Sequence, residues 1–324
     1  MFRKFSLVLI MITVLLSACA PAATPTALPK VIPPTVLPAA TTAPVPVAIK
    51  LVDGLKREVT LDKPAQRIIS IAPSNTELLF AVGAGAQVVG REELSDYPQA
   101  AQKVESVGSA FGKINAEAIV ALKPDLVLAA EINAPEQVKS LEDLGLTVYY
   151  LSNPTDFDGL YENLKIVGAL TGHAAEADQL SQSIAARYKA VIEKVAASSS
   201  KPKVFYEIDA TDPTKPFTAG AGTFIDRLID LAGGSNIGQA LKDQFAAISS
   251  EELIKQDPDL IILGDSAYGV TSESVGQRAG WDKIAAVKNK AIFGFDDNLA
   301  SRPGPRLIDG LEQLAKLIHP ELFK

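Results

Sequence analysis

The chain has 324 residues, 47% of them hydrophobic, with 31 Lys and Arg against 38 Asp and Glu, a net charge of −7. Residues 1–48 contain Arg3, Lys4 and Lys30 and no acid, so the rest carries 28 basic and 38 acidic side chains, a net −10. That balance argues against nucleic acid as a partner, and a single cysteine, Cys19, excludes disulfides and multi-cysteine metal sites.

At the N-terminus, Arg3 and Lys4 precede an apolar run, Leu7 to Leu16, that leads into Leu16-Ser17-Ala18-Cys19. This order is that of a signal peptide. The run is too short for a hydrocarbon core of roughly 30 Å, which needs about 20 residues, so residues 1–19 read as an export signal rather than a permanent span. Small residues followed by cysteine resemble the lipobox of bacterial lipoproteins, and lipidation is expected at Cys19. Residues 20–48 are almost entirely Ala, Pro, Thr and Val, with eight prolines and one charge, Lys30. Such chain is extended at roughly 3 Å per residue, so this segment reads as a tether.

The remaining 275 or so residues suffice for two lobes of ordinary domain size. They read as one plan used twice, an N-terminal lobe over 49–154 and a C-terminal lobe over 201–324. In the first, a strand over Arg67 to Ala72 leads through a Pro73-Ser74-Asn75 turn into a helix beginning at Thr76 and ended by Gly83 and Gly85. In the second, a strand over Val204 to Ile208 leads through a longer loop into a helix from Thr223 to Leu231, ended by Gly233-Gly234. The next units match more closely. Asn115-Ala116-Glu117 precedes Pro124-Asp125-Leu126-Val127-Leu128, and Ser249-Ser250-Glu251 precedes Pro258-Asp259-Leu260-Ile261-Ile262, each with a glutamate seven residues before the proline. Each predicts a capped short helix, a Pro-Asp break and a strand buried on both faces of a parallel sheet. A further helix and strand follow in each half: Pro135 to Gly145 with Thr147 to Leu151, and Trp281 to Val287 with Ala291 to Phe295.

Between the halves, over 155–200, the spacing predicts helices over Asp156 to Leu170 and Ala174 to Ala197. The second carries Ala177, Leu180, Ile184, Tyr188, Val191 and Val195 on one stripe. A helix of that length spans about 35 Å at 1.5 Å per residue. The fold class is therefore α/β: two pseudo-repeated lobes with mainly parallel sheets, joined by a long backbone helix that limits hinge motion.

From about residue 51 to 320 the sequence resembles the helical-backbone class of solute-binding proteins that serve ABC importers of cobalamin, haem and ferric siderophores. The stretches that carry the resemblance are Arg67 to Glu77, Ser95-Asp96-Tyr97-Pro98, Ile119 to Val127, Gly280-Trp281-Asp282-Lys283-Ile284 and Pro303-Gly304-Pro305-Arg306. Ser74-Asn75-Thr76-Glu77 and Ser95-Asp96-Tyr97-Pro98 are most like the cobalamin-binding members. The resemblance implies a lipid-anchored monomer on the outer face of the cell membrane that captures a corrinoid, or alternatively a ferric siderophore or haem. It also implies delivery to a permease dimer with its ATPase, with Glu117 and Glu251 docking onto permease arginines.

Ligands of open α/β sheets sit at the carboxyl ends of the strands, which nominates Ser74, Asn75, Glu131 to Asn133, Asp209, Asp265 to Tyr268 and Asp296 to Asn298. Tyr97, Phe111, Phe217 and Phe295 are the aromatics near those ends, and a large ring system would gain apolar area against them. The resemblance places Tyr97, Phe217 and Arg302 at or near the ligand, with Asp297 or Asn298 at a polar contact. Leu94 and Ala130 stand where cobalamin-binding relatives carry aromatics, and Phe111 partly substitutes. Tyr97, Tyr206, Tyr268, Arg91 and Arg302 are the candidates for contacting a siderophore or haem. No metal site is expected from His173 and His319, which read as surface or packing residues. Gly83-Ala84-Gly85 and Gly220-Ala221-Gly222 do not continue as a Gly-x-Gly-x-x-Gly cradle. No enzyme is expected, and a carboxylate-based hydrolase or a surface signalling module explains fewer of these features together. No cofactor is expected.

Overall fold

A computed structural model of the chain describes residues 48–324; the export signal, Cys19 and the tether lie outside the described residues. A hairpin of β1 (Ile49–Val52) and β2 (Glu58–Leu61) opens the fold. Strands β3 (Ile68–Ser70), β4 (Val88–Arg91), β5 (Leu126–Ala130) and β6 (Val148–Leu151) form the first main sheet, all parallel, in the order β4-β3-β5-β6. The second sheet contains β7 (Lys203–Asp209), β8 (Phe217–Ala219), β9 (Ser235–Asn236), β10 (Phe245–Ala247), β11 (Leu260–Leu263) and β12 (Ile292–Gly294). Its order is β10-β8-β7-β11-β12, with β9 against the start of β7. β9, β7, β11 and β12 pair in parallel, and β8 pairs antiparallel with both β7 and the edge strand β10.

The helices of the first lobe are α1 (Pro73–Ala81), α2 (Ala116–Ala121) and α3 (Pro135–Glu142). Two helices connect the lobes, α4 (Phe157–Thr171) and the 22-residue α5 (Ala174–Val195). The second lobe adds α6 (Phe224–Leu231), α7 (Ser250–Gln256), α8 (Ser272–Gly276), α9 (Ala285–Lys288), α10 (Asn298–Ser301) and α11 (Leu307–Ile318).

The repeat is physical. Asn115 and Ser249 cap α2 and α7 by accepting the N–H of Ala118 and of Glu252, which satisfies one otherwise unpaired donor in each first turn. Each helix gives way to a residue at positive φ before the proline, Lys123 at 48° and Asp257 at 49°. The following aspartates then pin the start of the neighbouring strand: Asp125 accepts from the N–H of Gln66 and Arg67, and Asp259 from the N–H of Lys203. The Pro-Asp break thus sets the register between β3 and β5 in the first sheet and between β7 and β11 in the second.

Alternation along the buried strands divides each sheet into two faces. Leu126, Leu128, Tyr149 and Leu151 look to one side, and Val127, Ala129, Val148 and Tyr150 to the other, where they meet Ile119, Val138 and Leu141 of α2 and α3. In the second sheet Val204, Tyr206, Leu260 and Ile262 face one side, and Phe205, Ile261 and Leu263 face Trp281 and Ile284 on the other. The first-named faces of both sheets belong to one apolar cluster, completed by α1, α4, α5, α6 and α11. Phe157 of α4 sits at the junction, its ring 4.9 Å from Tyr188 of α5 and 5.8 Å from Phe224 of α6. The long helix therefore joins the lobes through a shared core as well as through the chain.

Two local expectations change. Pro73-Ser74-Asn75 is the first turn of α1 rather than a turn before it, because proline at the first helical position gives up an N–H that has no intrahelical partner. The helix expected from Trp281 to Val287 is a turn of 3-10 helix followed by the short α9, broken at Ile284, whose ψ of 136° is extended. The fully buried Trp281 decides this. Its ring packs edge-on to Phe205 and its indole N–H donates to Ser250 Oγ at 3.1 Å. Among the described residues, no helix is long and apolar enough to cross a membrane.

Candidate functional site

Between the sheets, at the carboxyl ends of their strands, lie two cavities of about 380 and 600 Å³. Glu131, Asn153, Asp297, Ser301 and Pro303 line both, so the two form one cleft. Its size and position suit a ligand site of an open α/β architecture. Phe217 and Phe245 stand on the wall of the smaller cavity, and Leu94, Phe111 and Tyr268 on that of the larger. Exposure of these side chains runs from 39% for Phe217 to 89% for Tyr268. Large apolar groups left in water around one concavity mark a surface that gains by being covered.

The polar members are held from below. Glu131 follows β5, and its Oε1 accepts the N–H of Asn153, just beyond β6, at 3.0 Å. Asp297 follows β12, and its Oδ1 accepts the hydroxyl of the buried Tyr206 at 2.8 Å. Burial, followed by the charge of Asp297, pushes the Tyr206 phenol well above its ordinary range, so it stays a donor. Behind this wall, burial and the neighbouring Glu207 carboxylate push Asp265 up to about 6. Glu207 itself is buried against Arg278, which stacks 4.6 Å from the Trp281 ring.

The cleft floor joins the lobes by charge. Glu77 of α1, 3% exposed, accepts from Arg306 Nε at 2.8 Å and Nη2 at 2.6 Å, and from Arg302 Nη1 at 3.4 Å. Arg302 Nη1 also donates to Asp96 at 2.6 Å, and the Arg306 guanidinium lies 4.0 Å from the centre of the Tyr97 ring. Burial works against the charge on Arg306, but the Glu77 carboxylate outweighs it and holds the guanidinium above its ordinary value. Thr76 bonds Ser70 and Ser95 at 2.8 Å each, and Ser95 donates to the buried Glu92. The stretches Ser74 to Glu77, Ser95 to Pro98 and Pro303 to Arg306 thus meet in one place, where they build the junction between the lobes.

The sequence-predicted residues divide accordingly. Ser74, Phe111, Tyr268, Asp297 and Arg302 line the larger cavity, as do Leu94 and Ala130, and Phe217 and Asp297 line the smaller. Tyr97 lies outside both, because stacking on Arg306 turns it toward a shallow surface depression beside α11. Asn75 is fully buried behind the wall, and its carboxamide has no protein hydrogen-bond partner. Phe295 is core, edge-on to Tyr206. His173 precedes α5 beside Glu176, and His319 is buried against Ser198, Gly233 and Glu321. Among the described residues, no cluster of three or more His, Cys, Asp or Glu could hold a metal ion. Asn153 and Phe245 had escaped notice. The strand-end rule reaches Asn153, whereas the three-residue edge strand bearing Phe245 is too short to show a period.

The profile of the periplasmic binding protein family matches residues 68–299. A substrate-binding lipoprotein of an ABC transporter from Bacillus subtilis, itself uncharacterised, is 34% identical over 281 residues, covering 85% of this chain and 87% of its own. A solved structure described as a possible iron-binding, periplasmic solute-binding protein of Staphylococcus epidermidis is 34% identical with a TM-score of 0.69, covering 79% of this chain and all of that one. The periplasmic vitamin B12 binding protein of Vibrio cholerae is 27% identical with the same TM-score, covering 81% and 99%.

Removing the Glu77 charge would leave two largely buried arginines short of their counterion. Glu77→Gln is therefore expected to cost about 3–5 kcal/mol of stability in denaturant titrations at neutral pH, with much of the loss recovered by adding Arg306→Met. A loss under about 1 kcal/mol would show that the group behaves as a solvated surface pair.

Proposed function

The chain belongs to the periplasmic binding protein family, whose members bind solutes for ABC importers, and from that premise we propose that it captures a cobalamin-like corrinoid outside the cytoplasmic membrane and hands it to an importer permease. The observation that carries the ligand reading is the cleft itself. Two merging cavities are walled by Phe111, Phe217, Phe245 and Tyr268, each with much of its ring still in water. A flat macrocycle laid between such rings removes apolar area from both partners at roughly 25 cal/mol per Å². Leu94 and Ala130 supply smooth apolar wall where an aromatic would narrow the larger cavity. The protein binds and releases its ligand unchanged, as a monomer, and is tethered by a lipid on Cys19.

Capture of a ferric siderophore or haem for iron uptake is the second reading, supported by the description of the Staphylococcus epidermidis protein as a possible iron-binding protein. Calorimetric titration of the body decides between them. One equivalent of cyanocobalamin is expected to saturate it without product formation, and saturation by a ferric siderophore with no response to corrinoids would replace the corrinoid reading.

Delivery rests on Glu117 and Glu251. Both occupy the second position of capped helices in equivalent units of the two lobes, and both are exposed. The next residue, Glu252, is tied to Lys255 and Gln256, whereas among the described residues the Glu251 carboxylate makes no salt bridge. A first-turn carboxylate gains about 0.3–1 kcal/mol from the helix dipole, so each knob is modestly stabilised where it stands. Two acidic knobs entering two basic sockets would fix orientation and speed encounter. Glu117→Arg combined with Glu251→Arg is expected to abolish uptake while ligand affinity and melting temperature stay near wild type, each single change giving a partial loss. Normal uptake by the double variant at native expression would eliminate this docking mode. Cys19→Ser should move the protein from the membrane to the soluble fraction at unchanged ligand affinity; continued membrane retention would argue against a lipid there.

A further inference from the structure

The charges around the cleft do not balance. Among the described residues, the two cavities are lined by two carboxylates, Glu131 and Asp297, and by one cation, Arg302. That cation is already spent on Asp96, Glu77 and the Leu94 carbonyl. Its neighbour Arg306 is engaged by Glu77, with Asp296 3.9 Å away. The two arginines therefore face Glu77, Asp96 and Asp296 before the cleft carboxylates are counted, and the floor supplies no positive surplus.

Glu131 and Asp297 differ from the floor acids in how they are held. Glu131 is fixed by a backbone N–H and Asp297 by a phenol, both neutral donors that orient a carboxylate without cancelling its charge. One comes from each lobe, and both stand where the two cavities merge. Fixed charge lining a concave cleft acts on a ligand more strongly than charge on an open surface. Rejection of the wrong ligand by like charge is an established route to specificity.

We propose that Glu131 and Asp297 are the specificity-determining pair of the cleft. They admit a neutral or cationic ligand whose periphery carries hydrogen-bond donors such as primary amides, and they reject ligands that present carboxylates or catecholates. This inference rests on the cleft being the binding site, as proposed above, and it names the chemistry that the site takes. A corrinoid with amide side chains satisfies it, as does a cationic hydroxamate siderophore; haem with its propionates and an anionic catecholate siderophore do not.

The test is a binding panel on the soluble body at low and high salt, using cyanocobalamin, the cationic ferrioxamine B, haem and anionic ferric enterobactin. The wild type is expected to bind a neutral or cationic probe most tightly, and any haem binding should strengthen as salt screens the repulsion. Glu131→Gln with Asp297→Asn is expected to shift the affinity ratio of haem to the best wild-type probe by about tenfold per charge removed, with Glu131→Lys shifting it further. Matching far-ultraviolet spectra and melting temperatures would establish that the variants are folded. Tightest wild-type binding to haem or ferric enterobactin would overturn the proposal, as would a ratio that the double variant leaves within about twofold. Saturation by ferrioxamine B with no response to cyanocobalamin would remove the corrinoid reading and leave the charge rule standing.

Discussion

Both sheets turn one face onto the same layer of helices, and this shared apolar layer is the constraint from which the rest of the molecule follows. Strands buried on both faces need cover on both sides. Each lobe supplies its own outer cover, α2 and α3 in the first and the Trp281 region in the second. The inner cover is common property, running from Leu78 and Leu79 of α1 through Phe157, Ile184 and Val191 to Leu228, Leu311 and Leu314. Separating the lobes would expose that layer to water, at roughly 25 cal/mol for every Å² uncovered.

Charge reinforces what burial begins. Glu77 sits on a helix whose other buried side chains carry no charge, and a carboxylate removed from water there requires cations. It draws both from the opposite lobe, Arg302 and Arg306. Arg187 of α5 repeats the arrangement nearer the surface, bonding Asp309 at 2.6 Å and Glu312 at 2.8 Å on α11. The glutamate side of that contact, aided by Asp309, outweighs burial and drives the guanidinium of Arg187 far above its ordinary value. The connecting helix α5 is thus packed on α4 and tied to α11 of the second lobe.

How much of this the sequence disclosed depends on the range of the interaction. The doubled plan was legible because it is local: a capping side chain, a Pro-Asp break and an apolar run all lie within about a dozen residues, at Asn115 to Leu128 and again at Ser249 to Ile262. The cleft was partly legible, since strand ends point to it, and Ser74, Glu131 and Asp297 were found that way. The floor was not. Glu77 and Arg306 are separated by 229 positions, and nothing in either local stretch states that they meet. Tyr97 shows the cost of that gap: its neighbourhood resembles a ligand-contacting stretch, and nothing local shows that its ring stacks on Arg306 of the other lobe.

The same division explains why architecture and ligand choice can vary separately on this scaffold. Three of the motif stretches meet at the junction, where Glu77 with Arg306 and Arg302 with Asp96 cross between the lobes and Thr76 with Ser95 ties the first-lobe stretches together. The most exposed side chains of the cleft wall are a separate set. Phe111, Tyr268 and Phe245 are at least half exposed, and Leu94 and Ala130 line the larger cavity beside them. Exchanging such residues alters what fits at little cost to the fold, since surface substitutions away from caps and buried networks usually change stability by less than about 0.5 kcal/mol. Glu131 and Asp297 lie between the two classes: each is oriented by the scaffold, one through the Asn153 N–H and one through Tyr206, yet each lines the cleft. The charge carried by these two positions is thus set by the scaffold, and the common core and the Glu77 cluster hold the two lobes that supply them together.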